Sequence, residues 1–138
     1  MTTPSPSPQP AFGQVDADFL AELRALFADR VSTAATLREQ HGRDESYHAG
    51  HPPDAVMQPH STVEVSALMR LCSARRIPVV PYGAGTSLEG HVAALHGGVC
   101  VDLSTMNRVL TVHEADLDAV VQPGVTREAL NLELRHCG

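Results

Sequence analysis

Between Asp16 and Val31 the apolar side chains Leu20, Leu23, Phe27 and Val31 recur three or four residues apart, the spacing of one helix face. Asp16 and Asp18 stand where acidic groups favour a helix N-terminus, so the pattern predicts a first helix over about 16–30. A weaker helical pattern runs from Ser32 to His41 and stops at Gly42. From Gly42 to Pro53, glycines, prolines and polar turn formers mark a boundary. Beyond it the grain changes to short apolar runs: Ala55-Val-Met57, Ile77-Pro-Val-Val-Pro81, Val99-Cys-Val-Asp-Leu103, Val109-Leu-Thr-Val112 and Ala119-Val-Val121. Their brevity and β-branched content predict strands.

Two helical stretches interrupt these strands. Ser61-Thr-Val-Glu64 has the form of a capping box, in which the Ser61 hydroxyl and the Glu64 carboxylate satisfy each other's free backbone N–H groups. Val65, Leu68, Met69 and Cys72 then form one apolar stripe, and Arg75 and Arg76 complement the C-terminal dipole before Pro78 ends the helix. The last helix starts at Thr126 with Glu128 in its first turn and predicts a buried face of Leu130, Leu134 and Cys137. Helix, strand, helix, strand, glycine loop, three strands and helix follow one another without internal repeat, an α+β order.

The chain has 138 residues, enough for one modest domain. Ten basic against sixteen acidic residues give a net charge of −6, which excludes the basic face that DNA or RNA binding needs. All ten basic residues are Arg, so lysine Schiff bases, lysine general bases and the Walker lysine are excluded together. Cys72, Cys100 and Cys137 form no C-x-x-C pair, which fits a reducing compartment and no zinc knuckle. No apolar run approaches the roughly 18–20 residues of a membrane span. Met1 to Pro10 is rich in Pro and Ser, without the features of a secretory signal or mitochondrial presequence.

The candidate chemistry lies in Pro78-Val-Val-Pro-Tyr-Gly83-Ala-Gly85-Thr-Ser-Leu-Glu-Gly90. A strand running into Gly-x-Gly-Thr-Ser can turn sharply and aim successive N–H groups and two hydroxyls into one concavity, a cradle for a diphosphate. An ordinary glycine turn between strands is the alternative on these residues alone. The P-loop is excluded by the missing Lys, and the G-x-S-x-G nucleophile elbow by one residue too many between Gly85 and Gly90. The dinucleotide fingerprint is closer, because Gly83 and Gly85 fit and Asp102 ends a strand about twenty residues on, but Leu88 occupies the third glycine. Gly90, Gly97 and Gly98 also leave no room for the crossover helix of a parallel βαβ unit.

Three ordered motifs go further: Pro78 to Gly90, Gly97-Gly-Val-Cys-Val-Asp-Leu-Ser-Thr-Met-Asn-Arg-Val109, and Val121-Gln-Pro-Gly-Val-Thr126. Together they resemble the FAD-binding domain of the PCMH-type (vanillyl-alcohol-oxidase) flavoproteins, within them the D-lactate dehydrogenase and glycolate oxidase branch. His41-Gly-Arg-Asp-Glu-Ser46 and Pro53-Asp-Ala-Val56 are similar to the opening of that domain. Composition and periodicity give a disordered tail at 1–12 and an N-terminal helical segment and linker at 13–51, and the resemblance implies the first part of the flavin domain at 52–138. It also implies a small mixed sheet with flanking helices and a glycine loop that wraps the FAD pyrophosphate through Pro81, Tyr82, Gly83, Ala84, Gly85, Thr86, Ser87 and Leu88. Pro123, Gly124 and Val125 match the turn near the adenine and phosphate end. Relatives with covalent flavin often carry His where this chain has Thr86, so noncovalent FAD is implied.

The activity so implied is oxidation of a 2-hydroxy acid of D-lactate or glycolate type to the 2-oxo acid, with a quinone or cytochrome as acceptor. A cytoplasmic protein, peripheral on the inner face of a membrane, is the location this suits. The family continues well beyond the position of Gly138, where its substrate-binding Arg and metal-binding His residues lie, so no catalytic residue is assigned here. A noncatalytic fragment or one half of a split flavoprotein is the alternative.

Other constellations have plainer readings. His48, His51 and His60 lie in a Pro/Gly linker without fixed spacing, as solvated loop histidines do, and no metal site is expected. Asp116 and Asp118 read as a solvated turn. Cys72, Cys100, Met69 and Met106 read as packing residues. Glu89 and His91, at the end of the glycine loop, are assigned no catalytic role.

Overall fold

A computed structural model describes residues 11–137, so most of the proposed tail lies outside the described residues. Its centre is a four-stranded sheet in the order β1-β2-β4-β3, formed by β1 (Val31–Ser32), β2 (Ala55–Met57), β3 (Val79–Tyr82) and β4 (Val99–Asp102). β4 pairs in parallel with β2 on one side and β3 on the other, and β1 closes the sheet antiparallel to β2. Every residue of β2 and β4 is buried. Strands covered on both faces need continuous apolar runs rather than alternation, which Ala55-Val-Met57 and Val99-Cys-Val101 supply. The small mixed sheet is as expected, and each predicted strand forms within a residue or two of its run.

β1 is the strand that periodicity hid. The spacing places Val31 on the first helix, but α1 (Ala17–Phe27) stops at Phe27, and Ala28 (φ 52°) and a 3-10 turn over Ala28–Arg30 deliver Val31 to the sheet. Asp16 caps α1 by accepting the Phe19 amide at 2.8 Å. Phe19, Leu23 and Phe27 form its buried face, with Leu20 only half-buried. These three pack with Val31, Met57, Leu68, Cys72, Ile77, Val99 and Val101 in one core. Each such side chain, fully buried, contributes about 1.5–3 kcal/mol.

The expected second helix is shorter than its pattern, α2 (Ala35–His41). α3 (Thr62–Ala74) links the parallel strands β2 and β3. Its cap is half of the predicted box: Ser61 Oγ accepts the Glu64 amide at 3.3 Å, but Glu64 accepts the His60 amide at 2.7 Å instead of reaching Ser61. Arg30 draws the carboxylate away by pairing with Glu64 Oε2 at 2.5 Å. The buried stripe is Leu68 and Cys72, while Met69 is 45% exposed.

The link from β3 to β4 corrects the argument that parallel pairing needs a crossover helix. Residues 83–98 contain no helix, and the two strands are nevertheless parallel in register from Val79↔Val99 to Tyr82↔Asp102. The segment before β2 substitutes for a helix by bonding the loop's backbone: Glu45 N–H to Ser87 O at 3.1 Å, Ala94 N–H to His51 O at 2.9 Å and Asp54 N–H to Gly98 O at 2.8 Å. Buried Val92 and Ala94 anchor it to the interior.

β5 (Val109–His113) and β6 (Asp118–Val121) form a separate antiparallel hairpin, and α4 (Arg127–Glu133) follows, capped by Thr126 Oγ1. The buried face expected there is not buried: no residue of α4 is, Leu130 and Leu134 are half-exposed, and Cys137 is exposed. These side chains border an open groove with Val112 and Ala119.

Candidate functional site

β3 and β4 end side by side at Tyr82 and Asp102, and the glycine loop leaves from that end. Its two leading glycines serve different needs. Gly85 has φ +68°, and a Cβ there would strike the Tyr82 hydroxyl, so its conformation and its neighbour both demand glycine. Gly83 has neither constraint, because a Cβ there meets nothing within 4 Å. Open space over Gly83 is room for something to approach the backbone closely. The amides of Ala84 through Leu88 meet no backbone or side-chain acceptor among the described residues, which leaves a run of N–H donors to solvent or to a ligand.

A cleft of about 500 Å³ opens beside the loop, lined by Tyr82, Ala84 and Gly85 together with Arg43, Glu39, Asp44 and Glu45 among others. Of the other residues singled out in the sequence, Pro81 and Thr86 are exposed, Leu88 is 69% exposed, and Ser87 is held by Glu45. Pro81, Gly83, Thr86, Ser87, Leu88, Pro123, Gly124 and Val125 do not line this cleft. Gly124 N–H donates to Met106 O at 2.8 Å, and Leu103 N–H donates to Tyr82 O at 2.9 Å. The turn and the glycine loop therefore attach to the same segment after β4.

Beneath the loop lies a buried polar network with no local sequence signal. His41, at the end of α2, is 3% exposed. Its Nδ1 donates to Leu37 O at 2.9 Å and its Nε2 to Asp102 Oδ2 at 3.1 Å. Gln58 Nε2 donates to the same oxygen at 2.8 Å, and Ser104 N–H donates to Asp102 Oδ1 at 3.0 Å. Burial opposes the Asp102 charge, yet the donors from Ser104, Gln58 and His41 outweigh it and hold the carboxyl below its ordinary value. Both His41 nitrogens thus have polar partners, which fixes the direction of the ring. Asp102 is fully engaged by protein groups and not free for a ribose, which removes the last element of the dinucleotide fingerprint.

Asp44 also borders the cleft. Its Oδ1 accepts the Ser46 amide at 3.0 Å, and its Oδ2 is buried without a hydrogen-bond partner among the described residues. The Ser46 hydroxyl, the amides of Ser46 and Gly90, and His91 favour the charged form against desolvation and lower its pKa. Cys72 and Cys100 are unreactive by environment: burial pushes their thiols up to about 11 and about 12, Asp102 adding to the second. Among the described residues no group of three or more His, Cys, Asp and Glu is placed to hold a metal.

The residues fit a flavin dinucleotide on structural grounds. Unpartnered amides and Arg43 suit the diphosphate, and the open face of Gly83 admits it, while Glu39, Asp44 and Glu45 make the rest of the cleft acidic.

Comparison with known proteins agrees. Residues 53–138 match the family described as FAD binding domain. Over 120 residues the chain is 49% identical to a probable mitochondrial D-lactate dehydrogenase of Danio rerio, covering 86% of this chain and 24% of that protein. It is 44% identical over 73 residues to glycolate oxidase subunit GlcD of Bacillus subtilis (strain 168), covering 53% of this chain and 16% of that protein. The fold superimposes on alkyldihydroxyacetonephosphate synthase with TM-score 0.80 at 25% identity, over 92% of this chain and 26% of that one. The chain thus spans about a quarter or less of these proteins' own length. Motifs, fold and match agree over most of the chain, and it belongs to the PCMH-type FAD-binding-domain family of flavoproteins.

Proposed function

We propose that this chain is the FAD-binding part of an oxidoreductase that converts a 2-hydroxy acid, of D-lactate or glycolate type, to the 2-oxo acid and passes electrons to a quinone or cytochrome. The observation that carries the reading is the run of unpartnered amides from Ala84 to Leu88 beside the open face of Gly83. Bound FAD supplies the redox chemistry. The chain's own residues hold and orient it. The loop amides take the diphosphate oxygens, with Tyr82, Ala84 and Gly85 shaping the wall and Arg43 offering a cation. Pro123, Gly124 and Val125, whose turn is tied to the same Leu103–Met106 segment as the glycine loop, serve the adenine and phosphate end in this reading. The cofactor is held without a covalent bond, because Thr86 offers no imidazole where a histidyl linkage forms in covalent relatives. No residue of the chain is assigned to the chemical step.

In this reading residues 52–138 are the first part of the flavin domain and residues 13–51 its N-terminal helical segment and linker. The protein is placed in the cytoplasm, peripheral on the inner face of a membrane, where a quinone acceptor is accessible. Among the described residues no helix is long and apolar enough to cross a membrane. The acidic charge supports a small-molecule rather than a nucleic-acid partner. A second reading, one half of a split flavoprotein, is favoured by the open apolar groove of Val112, Ala119, Leu130 and Leu134.

Titration of FAD into the purified chain, followed by flavin fluorescence, tests the cofactor reading, with Gly83→Val as control. The open space at Gly83 lets the variant fold while its side chain fills the approach to the loop. Saturable binding that is lost in Gly83→Val is expected. Equal binding by both proteins would show that FAD does not sit on this loop.

A further inference from the structure

We propose that His41 is a positioning residue for the glycine loop, acting through Tyr82; the functional part of this role rests on the cofactor reading above. The His41 and Tyr82 rings lie 4.3 Å apart between centroids, tilted by 42°. Hydrogen bonds at both nitrogens fix the His41 ring in direction as well as place. Tyr82 in turn occupies the volume on which Gly85 closes: its hydroxyl, Cζ and Cε2 are the three atoms nearest a Cβ at Gly85. The loop's left-handed turn is therefore moulded on a ring whose position His41 sets.

A buried histidine and carboxylate are an expensive way to fill a core, since apolar side chains of similar size pack there at less cost in desolvation. Orientation is what the pair supplies and a hydrophobic residue does not. It carries the position of α2, which ends at His41, across the end of β4 to the run of amides after Gly85. His41 comes from the segment preceding the matched residues 53–138, so that segment is part of the loop's support.

The test is amide NMR of the chain, comparing the unsubstituted protein with Tyr82→Phe and His41→Gln, together with FAD titration. Both variants are expected to shift the amide resonances of Gly83 to Leu88 and leave those of α1 in place. Both should weaken FAD binding about tenfold, through displacement of the loop amides. Gly85→Ala should cost less affinity in the Tyr82→Phe background than alone, a coupling that general destabilisation does not produce. A folded His41→Gln protein with unmoved loop resonances overturns the proposal. If His41→Gln does not fold, Tyr82→Phe and the Gly85 cycle decide. If the unsubstituted chain takes up no FAD, the cofactor reading fails for this chain, and the loop resonances still decide whether His41 and Tyr82 set the turn.

Discussion

Asp54 holds the end of the glycine crossover: its Oδ2 accepts the Gly98 amide at 2.7 Å, and the same carboxylate is the nearest group to a Cβ at Gly97. One side chain before β2 thereby fixes the two left-handed glycines that return the chain to β4. Loss of this contact leaves a part-buried amide without an acceptor. Asp54→Ala is expected to lower unfolding stability by about 1–3 kcal/mol, measured by urea denaturation. A stability unchanged by Asp54→Ala would show that the loop is anchored by its apolar residues alone.

Acid sensitivity follows from Asp102 and Glu64. The carboxyl of Asp102 sits below its ordinary value of 3.8 because the donors around it outweigh burial. Glu64 sits below 4.5 through Arg30, first by hydrogen bond, and through the His60 amide. Each folded pKa is depressed, so the folded state binds these protons less tightly than the unfolded one. Their contribution is fully present above the ordinary values and is lost as pH falls through the folded ones. Urea midpoints should hold above pH 5 and fall below about pH 4, with a shallower acid limb in Asp102→Asn. An identical limb in that variant would place the acid sensitivity elsewhere.

The three thiols should separate by reactivity. Cys72 and Cys100 are buried, with pKa values pushed up to about 11 and about 12, whereas Cys137 is exposed. Iodoacetamide at pH 8 is expected to modify Cys137 alone in the native protein and all three in urea, as read by mass spectrometry. Native labelling of Cys100 would mean that β4 opens.

Arg43 is the cation lining the cleft with Tyr82, Ala84 and Gly85. Arg43→Gln should weaken FAD binding about tenfold at low salt, with the difference shrinking as salt rises. Unchanged affinity and salt dependence would place the diphosphate away from this side of the loop.

The strands and most helix boundaries were legible because they rest on local patterns. Asp16, Ser61 and Thr126 each cap the helix that their sequence context predicts. β1 was illegible because Val31 keeps helical spacing with Phe27, and only the backbone turn at Ala28 breaks that register. Glu64 left the capping box because Arg30, 34 residues away, competes for its carboxylate. The half-exposed Leu130 and Leu134 and the exposed Cys137 keep helical apolar spacing, yet spacing does not say whether another surface covers them.

The glycine loop, its ordered companion motifs and the family they belong to are legible residue by residue, because glycine conformations and strand composition are properties of short stretches. How that loop is held emerges only from packing. Parallel pairing without a helix, the separation of Gly124 from the cleft, and the His41–Asp102 pair each join residues distant along the chain. His41 and Asp102 are 61 positions apart. Whether a histidine is solvated or buried against a carboxylate depends on packing between elements, and that interaction leaves no periodicity to read.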